Sequence, residues 1–249
     1  MRSAFAVVLV SMTLAASVGC DNKAEECKAV VNTIDDDDAA LKGISLSSDD
    51  FGVMAKNLKA AADIVDKVAT DLAAQKVTNA ELAKESTDYQ AFAKGTATEL
   101  RGLADLLTPL QQALDKIGPM ARTFSGGLKK LDARCSADAG AATAADCQAI
   151  ATAMKDAPDQ DAFKFDKDLK EDAAAFGKFA AELKALQLKD AELTTDLGEV
   201  VKGLGSLQEI MQTMVDLKPK FDASGAALQM ALAKEEPIER HINETCGAK

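Results

Sequence analysis

Apolar residues recur in steps of three and four along most of this chain. Phe51, Met54, Leu58, Ala61, Val65, Val68 and Leu72 form one such run. Ala162, Phe165, Leu169, Phe176, Phe179 and Leu183 repeat its phase further on; Asp172 interrupts it, and Ala173 beside it can take the slot. This spacing is the seam of a helix packed lengthwise on another helix. Ser48 or Asp49 can cap the first run, and Asp159 or Asp161 the second, because a short polar side chain accepts from the open N–H groups of a first turn.

Two longer seams follow predicted turns at Asn79 and Asp190. Leu100, Leu103, Leu107, Leu110, Leu114, Ile117, Ala121, Phe124, Leu128, Leu131 and Cys135 keep the three-four step. So do Leu193, Leu197, Val200, Leu204, Leu207, Met211, Met214, Leu217 and Phe221. Pro109 and Pro219 fall inside these seams with no polar loop beside them. A proline there removes a hydrogen bond and bends a helix, so a kinked long helix is expected rather than a chain reversal. Gly118-Pro119, Ser125-Gly126-Gly127 and Glu236-Pro237 are further weak points, and another break is expected near Gly43–Ser48.

Composition agrees with helices. Only 4% of the 249 residues are aromatic, with no Trp and one Tyr, and Ala, Leu, Lys, Glu and Asp fill much of the rest. That mixture suits helices better than sheets. With 47% apolar and 28% charged residues, the chain can bury a real core. The net charge of −11 repels nucleic acid and anionic lipid surfaces, which argues against a nucleic-acid partner.

The cysteines expose a duplication. Cys27-Lys-Ala-Val-Val-Asn-Thr-Ile34 is similar to Cys147-Gln-Ala-Ile-Ala-Thr-Ala-Met154. Asp71-Leu72 through Asn79-Ala80-Glu81-Leu82 matches Glu182-Leu183 through Asp190-Ala191-Glu192-Leu193 at an offset of 111, and Cys135 matches Cys246 at that same offset. The chain therefore reads as two diverged helical hairpins, 27–135 and 147–246, joined by a loop-like linker at 136–146. The expected fold is all-α, an elongated antiparallel bundle of these hairpins. The arms of each hairpin are close in length, which returns Cys135 to the level of Cys27 and Cys246 to that of Cys147. Pairing Cys27–Cys135 and Cys147–Cys246 would clamp each open end, and closing a loop of ~100 residues contributes about 4–5 kcal/mol in a chain-entropy model. The other pairing, Cys27–Cys246 with Cys135–Cys147, would tie the termini and staple the linker. The clamps are the expected pairing, with the other kept as the alternative because spacing alone does not exclude it.

Cys20 has no match in the second half. Before it, Arg2 is the only charge, and Ala4 to Ala16 is apolar or small throughout. That is a signal peptide, residues 1–19, too short to span a bilayer. Its end, Ser17-Val18-Gly19-Cys20, resembles the lipobox of bacterial lipoproteins, with Ser17 standing where that family most often has Leu. The resemblance covers residues 1–20 only. It implies a thioether-linked diacylglycerol and an amide-linked acyl chain on Cys20, which becomes the mature N-terminus, with residues 20–26 as a tether. Several acyl chains make a stable anchor. The expected location is the cell envelope, lipid-anchored and facing the periplasm or exterior; in some bacteria an Asp in the place of Asp21 marks retention at the inner membrane.

Chemistry is sparse. The single histidine, His241, lacks the partners of a metal site or triad. The body cysteines lack the spacing of zinc or redox motifs. Asp35-Asp36-Asp37-Asp38, with Asp49-Asp50, lacks the grammar of a calcium loop and reads as a solvated helix face. Met211, Met214 and Met230 sit in or near a seam and read as core. Glu85, Glu99, Glu182, Glu192 and Glu199 lack the histidine partners of a di-iron bundle. No catalytic residue, metal ligand or cofactor is expected. The expected role is a non-enzymatic binding or scaffolding module with an envelope protein as partner; the alternative is a periplasmic carrier or chaperone-like protein holding an apolar ligand or peptide between the hairpins.

Overall fold

The computed structural model describes residues 21–45, 48, 50–136, 141–158 and 169–247. The described residues are all-α. The helices are α1 (Asp21–Leu41), α2 (Phe51–Ala74), α3 (Ala80–Asp115), α4 (Ile117–Ser136), α5 (Ala141–Ala153), α6 (Leu169–Lys184), α7 (Ala191–Leu232) and α8 (Glu235–Thr245). A 3₁₀ turn at Met154–Asp156 follows α5.

Local chemistry sets the boundaries. The Val53 N–H donates to Asp50 Oδ1 at 3.0 Å, so α2 is capped by Asp50 and not by Ser48, whose Oγ accepts from the Asp50 N–H at 3.0 Å. The other proposed caps, Asp49, Asp159 and Asp161, lie outside the described residues, as do Ala162 and Phe165. Asn79 Oδ1 accepts the Leu82 N–H at 3.0 Å, and Asp190 Oδ1 accepts the Leu193 N–H at 3.0 Å, which fixes the starts of α3 and α7. Pro109 and Pro219 lie inside α3 and α7, and the chain does not reverse at either.

The break comes instead at Lys116, between α3 and α4. Pro119 follows in the first turn of α4, where its missing N–H is tolerated. The break interrupts the expected seam: Ile117 is 39% exposed and Ala121 is exposed, and the seam resumes in phase at Phe124 and Leu128, which pack against the core, and at buried Leu131. The second-half seam runs as expected from Leu193 to Leu217, and Ala173 takes the core slot beside Asp172. The linker expectation fails in part. Residues 141–145 are helical, and only 137–140 lie outside the description. Alanine-rich sequence favours the helix there, as it does elsewhere in the chain.

The chain forms two compact units. Among the described residues, unit 1 holds 21–45, 56–102 and 225–247, and unit 2 holds 48, 50–55, 103–136, 141–158 and 169–224. Each unit combines three helices of one half with the terminal arm of the other. In unit 1, α1, most of α2 and the start of α3 meet the end of α7 and α8. In unit 2, α5, α6 and most of α7 meet the end of α3 and α4. Val30, Leu72, Leu82 and Ile242 are fully buried in unit 1. Phe176, Phe179, Leu183, Leu193, Val200 and Leu204 centre the core of unit 2.

The disulfides follow this exchange. Cys27 is bonded to Cys246 in unit 1, and Cys135 to Cys147 in unit 2. The expected hairpin clamps, Cys27–Cys135 and Cys147–Cys246, are therefore wrong. The reason is that the chain reverses between α1 and α2: Gln75 at the end of α2 donates to Ala29 O and Thr33 Oγ1, and Glu26 accepts from Thr78 and Asn79, so Cys27 lies beside the Asn79 turn and not at the open end of its hairpin, as Asp146 places Cys147 beside the Asp190 turn. Each arm runs on past the end of its own first helix, and its terminal cysteine meets the first helix of the other half.

Candidate functional site

In unit 1, α8 lies antiparallel against the first turns of α3. The Thr245 hydroxyl donates to Glu85 Oε1 at 2.9 Å, both groups buried. Glu85 Oε2 is buried without a hydrogen-bond partner. Beside this contact opens a cleft of about 450 Å³ lined by Lys23, Glu81, Lys84, Glu85, His241, Glu244 and Thr245. That volume is in the range of small-molecule sites. A second cleft, about 580 Å³, shares Lys84 and His241 and continues along Asp88, Phe92 and Ile238. Lys84 Nζ stands 3.5 Å from Asp88 Oδ2. The histidine singled out in the sequence thus borders both clefts. Among its neighbours, Lys84, Glu81 and Thr245 were not foreseen as site residues.

The turn beside the disulfide is held from α1. Glu26 accepts the backbone N–H groups of Thr78 and Asn79, each at 3.0 Å, and its carboxyl is held below the usual range by hydrogen bonds from the Thr78 side chain and these two amides. Unit 2 repeats the device: Asp146 accepts the N–H groups of Lys189 and Asp190, each at 2.7 Å.

The acidic run is not a uniformly solvated face. Asp35 and Asp36 are exposed, but Asp37 is buried to 8% and Asp38 is half-buried. Burial raises both buried carboxyls. From α8, Glu235 and Glu239 face the same region. Burial pushes Glu239 up to about 7, and repulsion from Glu235, Asp38, Asp35 and Glu236 adds to it. No group of three potential ligands among the described residues could hold a metal ion. Asp50 is spent on capping α2 and takes no part.

The consequence is a pH-dependent unit 1. Glu239 binds its proton more tightly folded than unfolded, so its stabilisation is full below its ordinary value of 4.5 and is lost as pH rises through about 7. The expected loss between pH 5 and pH 8 is about 1–2 kcal/mol, halved from the full linkage because the carboxyl is partly solvated. Urea midpoints measured across that range should fall with pH in the wild type and stay flatter in Glu239→Gln. An unchanged slope in the variant would show that Glu239 does not carry the effect.

The remaining candidates are structural. Met211 is 3% exposed in the unit 2 core and Met214 is half-buried, whereas Met230 is exposed and does not take the core place expected of it. Glu199 accepts from Lys130 Nζ at 2.6 Å, and Glu182 pairs with Lys178 at 3.6 Å. Glu192, with buried Asp196, holds the Arg134 guanidinium; Glu99 is half-buried on α3. Cys20 lies outside the described residues. Compared with protein families, curated proteins and solved structures, the chain matches none.

Proposed function

We propose that this chain is a lipid-anchored, non-enzymatic helical protein of the bacterial cell envelope whose body binds a ligand or partner outside the cytoplasm. One observation carries the reading. Cys27, Cys135, Cys147 and Cys246 are paired with one another, so none is left to pair with Cys20. An odd thiol behind a signal-peptide pattern is what lipidation would use. The two disulfides belong to a chain that folds in an oxidising compartment. No helix among the described residues is long and apolar enough to cross a membrane, so attachment through acyl chains on Cys20 would supply the membrane contact.

The body's binding role rests on the unit 1 cleft. Its lining is charged rather than apolar, which favours a polar ligand over the apolar cargo of a carrier.

Detergent-phase partitioning and mass spectrometry of the N-terminal peptide test the anchor. The wild type should enter the detergent phase with an acylated Cys20, and Cys20→Ser should move to the aqueous phase. A Cys20→Ser protein that still partitions with detergent, or a wild-type N-terminus without acyl chains, sinks the reading.

A further inference from the structure

The offset of 111 that relates the two halves also relates two local sites, and they differ in one decisive way. In unit 2, Arg134 on α4 donates through Nε to Asp196 and through Nη1 to Glu192. Asp196 is only 4% exposed, and the guanidinium satisfies it. One turn earlier, Lys130 pairs with Glu199.

The matching positions in unit 1 are Thr245 for Arg134, Glu85 for Asp196, Glu81 for Glu192, His241 for Lys130 and Asp88 for Glu199. The acidic residues are all kept. The arginine is replaced by a side chain that reaches Glu85 through one hydroxyl only. Glu85 is 9% exposed, and its second oxygen has no partner. The cleft of about 450 Å³ opens at this place, lined by two of the three retained carboxylates, Glu81 and Glu85, and by Thr245. A buried carboxylate oxygen left without a donor is costly, and a charge-assisted donor relieves it.

We propose that the unit 1 cleft binds a guanidinium group from outside the chain, which Glu81 and Glu85 grip as Glu192 and Asp196 grip Arg134. The planar fork of a guanidinium can donate to two carboxylates at once, which an ammonium does less well. Lys84 is already engaged with Asp88, and Lys23 is the other lining lysine; Glu244 adds a third carboxylate to the lining. The source is either a free arginine-like molecule or an arginine side chain of an envelope partner, and the cleft volume suits one such group. The inference is independent of the lipid anchor, since no cleft residue belongs to the leader.

Calorimetric titration of the full chain in detergent tests it, with agmatine, cadaverine, free arginine and a short arginine-containing peptide as probes. Agmatine should bind saturably and at least tenfold more tightly than cadaverine. Glu85→Gln and Glu81→Gln should each weaken it about tenfold or more. Thr245→Arg should abolish binding by filling the site in cis and should raise the melting temperature. A preference for the peptide over agmatine and free arginine would assign the guanidinium to a protein partner, and the reverse would assign it to a small molecule. Absence of binding by every guanidinium probe, equal affinity for cadaverine, or undiminished agmatine binding by Thr245→Arg would overturn the proposal. None of these results bears on whether Cys20 is acylated.

Discussion

Replacing Cys27 and Cys246 together with alanine is expected to cost about 5 kcal/mol of stability, against about 3 kcal/mol for the Cys135→Ala/Cys147→Ala pair. The contrast comes from the unfolded chain. The first bond closes a separation of 219 residues and the second only 12, and the longer loop restricts the denatured ensemble more. Both bonds join a first helix to the end of an arm from the other half, and the buried Cys27 against the exposed Cys135 adds to the contrast in the same direction. Urea unfolding of the two double variants, each checked for native helicity, measures the difference. Hairpin clamps would have had loops of about equal length and given about equal costs. A larger loss from the Cys135/Cys147 variant would contradict the entropic account. α1 and the end of α8 thus depend on each other through the longest closure the sequence allows among its body cysteines.

The second large effect is expected at Gly127 and Gly203, where α4 and α7 run antiparallel in unit 2. A Cβ at Gly203 would stand 2.7 Å from Phe124 Cβ and 3.0 Å from Phe124 Cα. A Cβ at Gly127 would stand 2.8 Å from Val200 Cγ2, 3.0 Å from the Val200 N and 3.1 Å from the Asp196 O. Several of these atoms are backbone and cannot swing aside. Gly→Ala in a helix interior normally gains about 1 kcal/mol, but forcing two backbones apart in a packed core costs about 1–3 kcal/mol. Repulsion should win, and each variant should lose up to about 2 kcal/mol net, since separating the helices also loosens Leu131 and Leu204 in the core. Gly198, with nothing within 4 Å of its would-be Cβ, is the control. Gly198→Ala should gain about 1 kcal/mol. Thermal melts of the three variants decide the matter, and a stabilised Gly203→Ala would refute the close approach.

The same two glycines show why some features were legible and others were not. Ser125-Gly126-Gly127 reads in sequence as a weak point in a helix, because glycine carries a conformational cost there. The structure gives Gly127 the opposite role, as the residue that lets Val200 come near. Nothing in a single chain marks which helix will press against which glycine. Asp37 is similar. Four consecutive aspartates read as a solvated face, yet a helix turns one of every few residues inward, and the third, Asp37, is buried near Lys67 and Asp71 of α2. The Glu81, Glu85 and Thr245 grouping was within reach, since the offset of 111 places Thr245 opposite Arg134. That correspondence carries meaning only through the contact of Arg134 with Asp196, which is tertiary.

The sequence by itself determined that the chain is helical, its main turns at Asn79 and Asp190, and the correspondence between the halves; passage through Pro109 and Pro219 was the favoured reading, while the break at Lys116 and the helix at 141–145 were not legible. The legible features follow from local periodicity, capping groups and the short reach of backbone hydrogen bonds. Only the tertiary structure decided which arm packs on which helices, and hence which cysteines meet. A three-four apolar seam says that a face is buried and leaves open what it is buried against. When two halves carry similar seams, each arm fits the helices of either half, and local chemistry cannot separate the two arrangements. The choice is made by the whole packed unit, where the long helices run on into the other half and deliver Cys135 to Cys147 and Cys246 to Cys27.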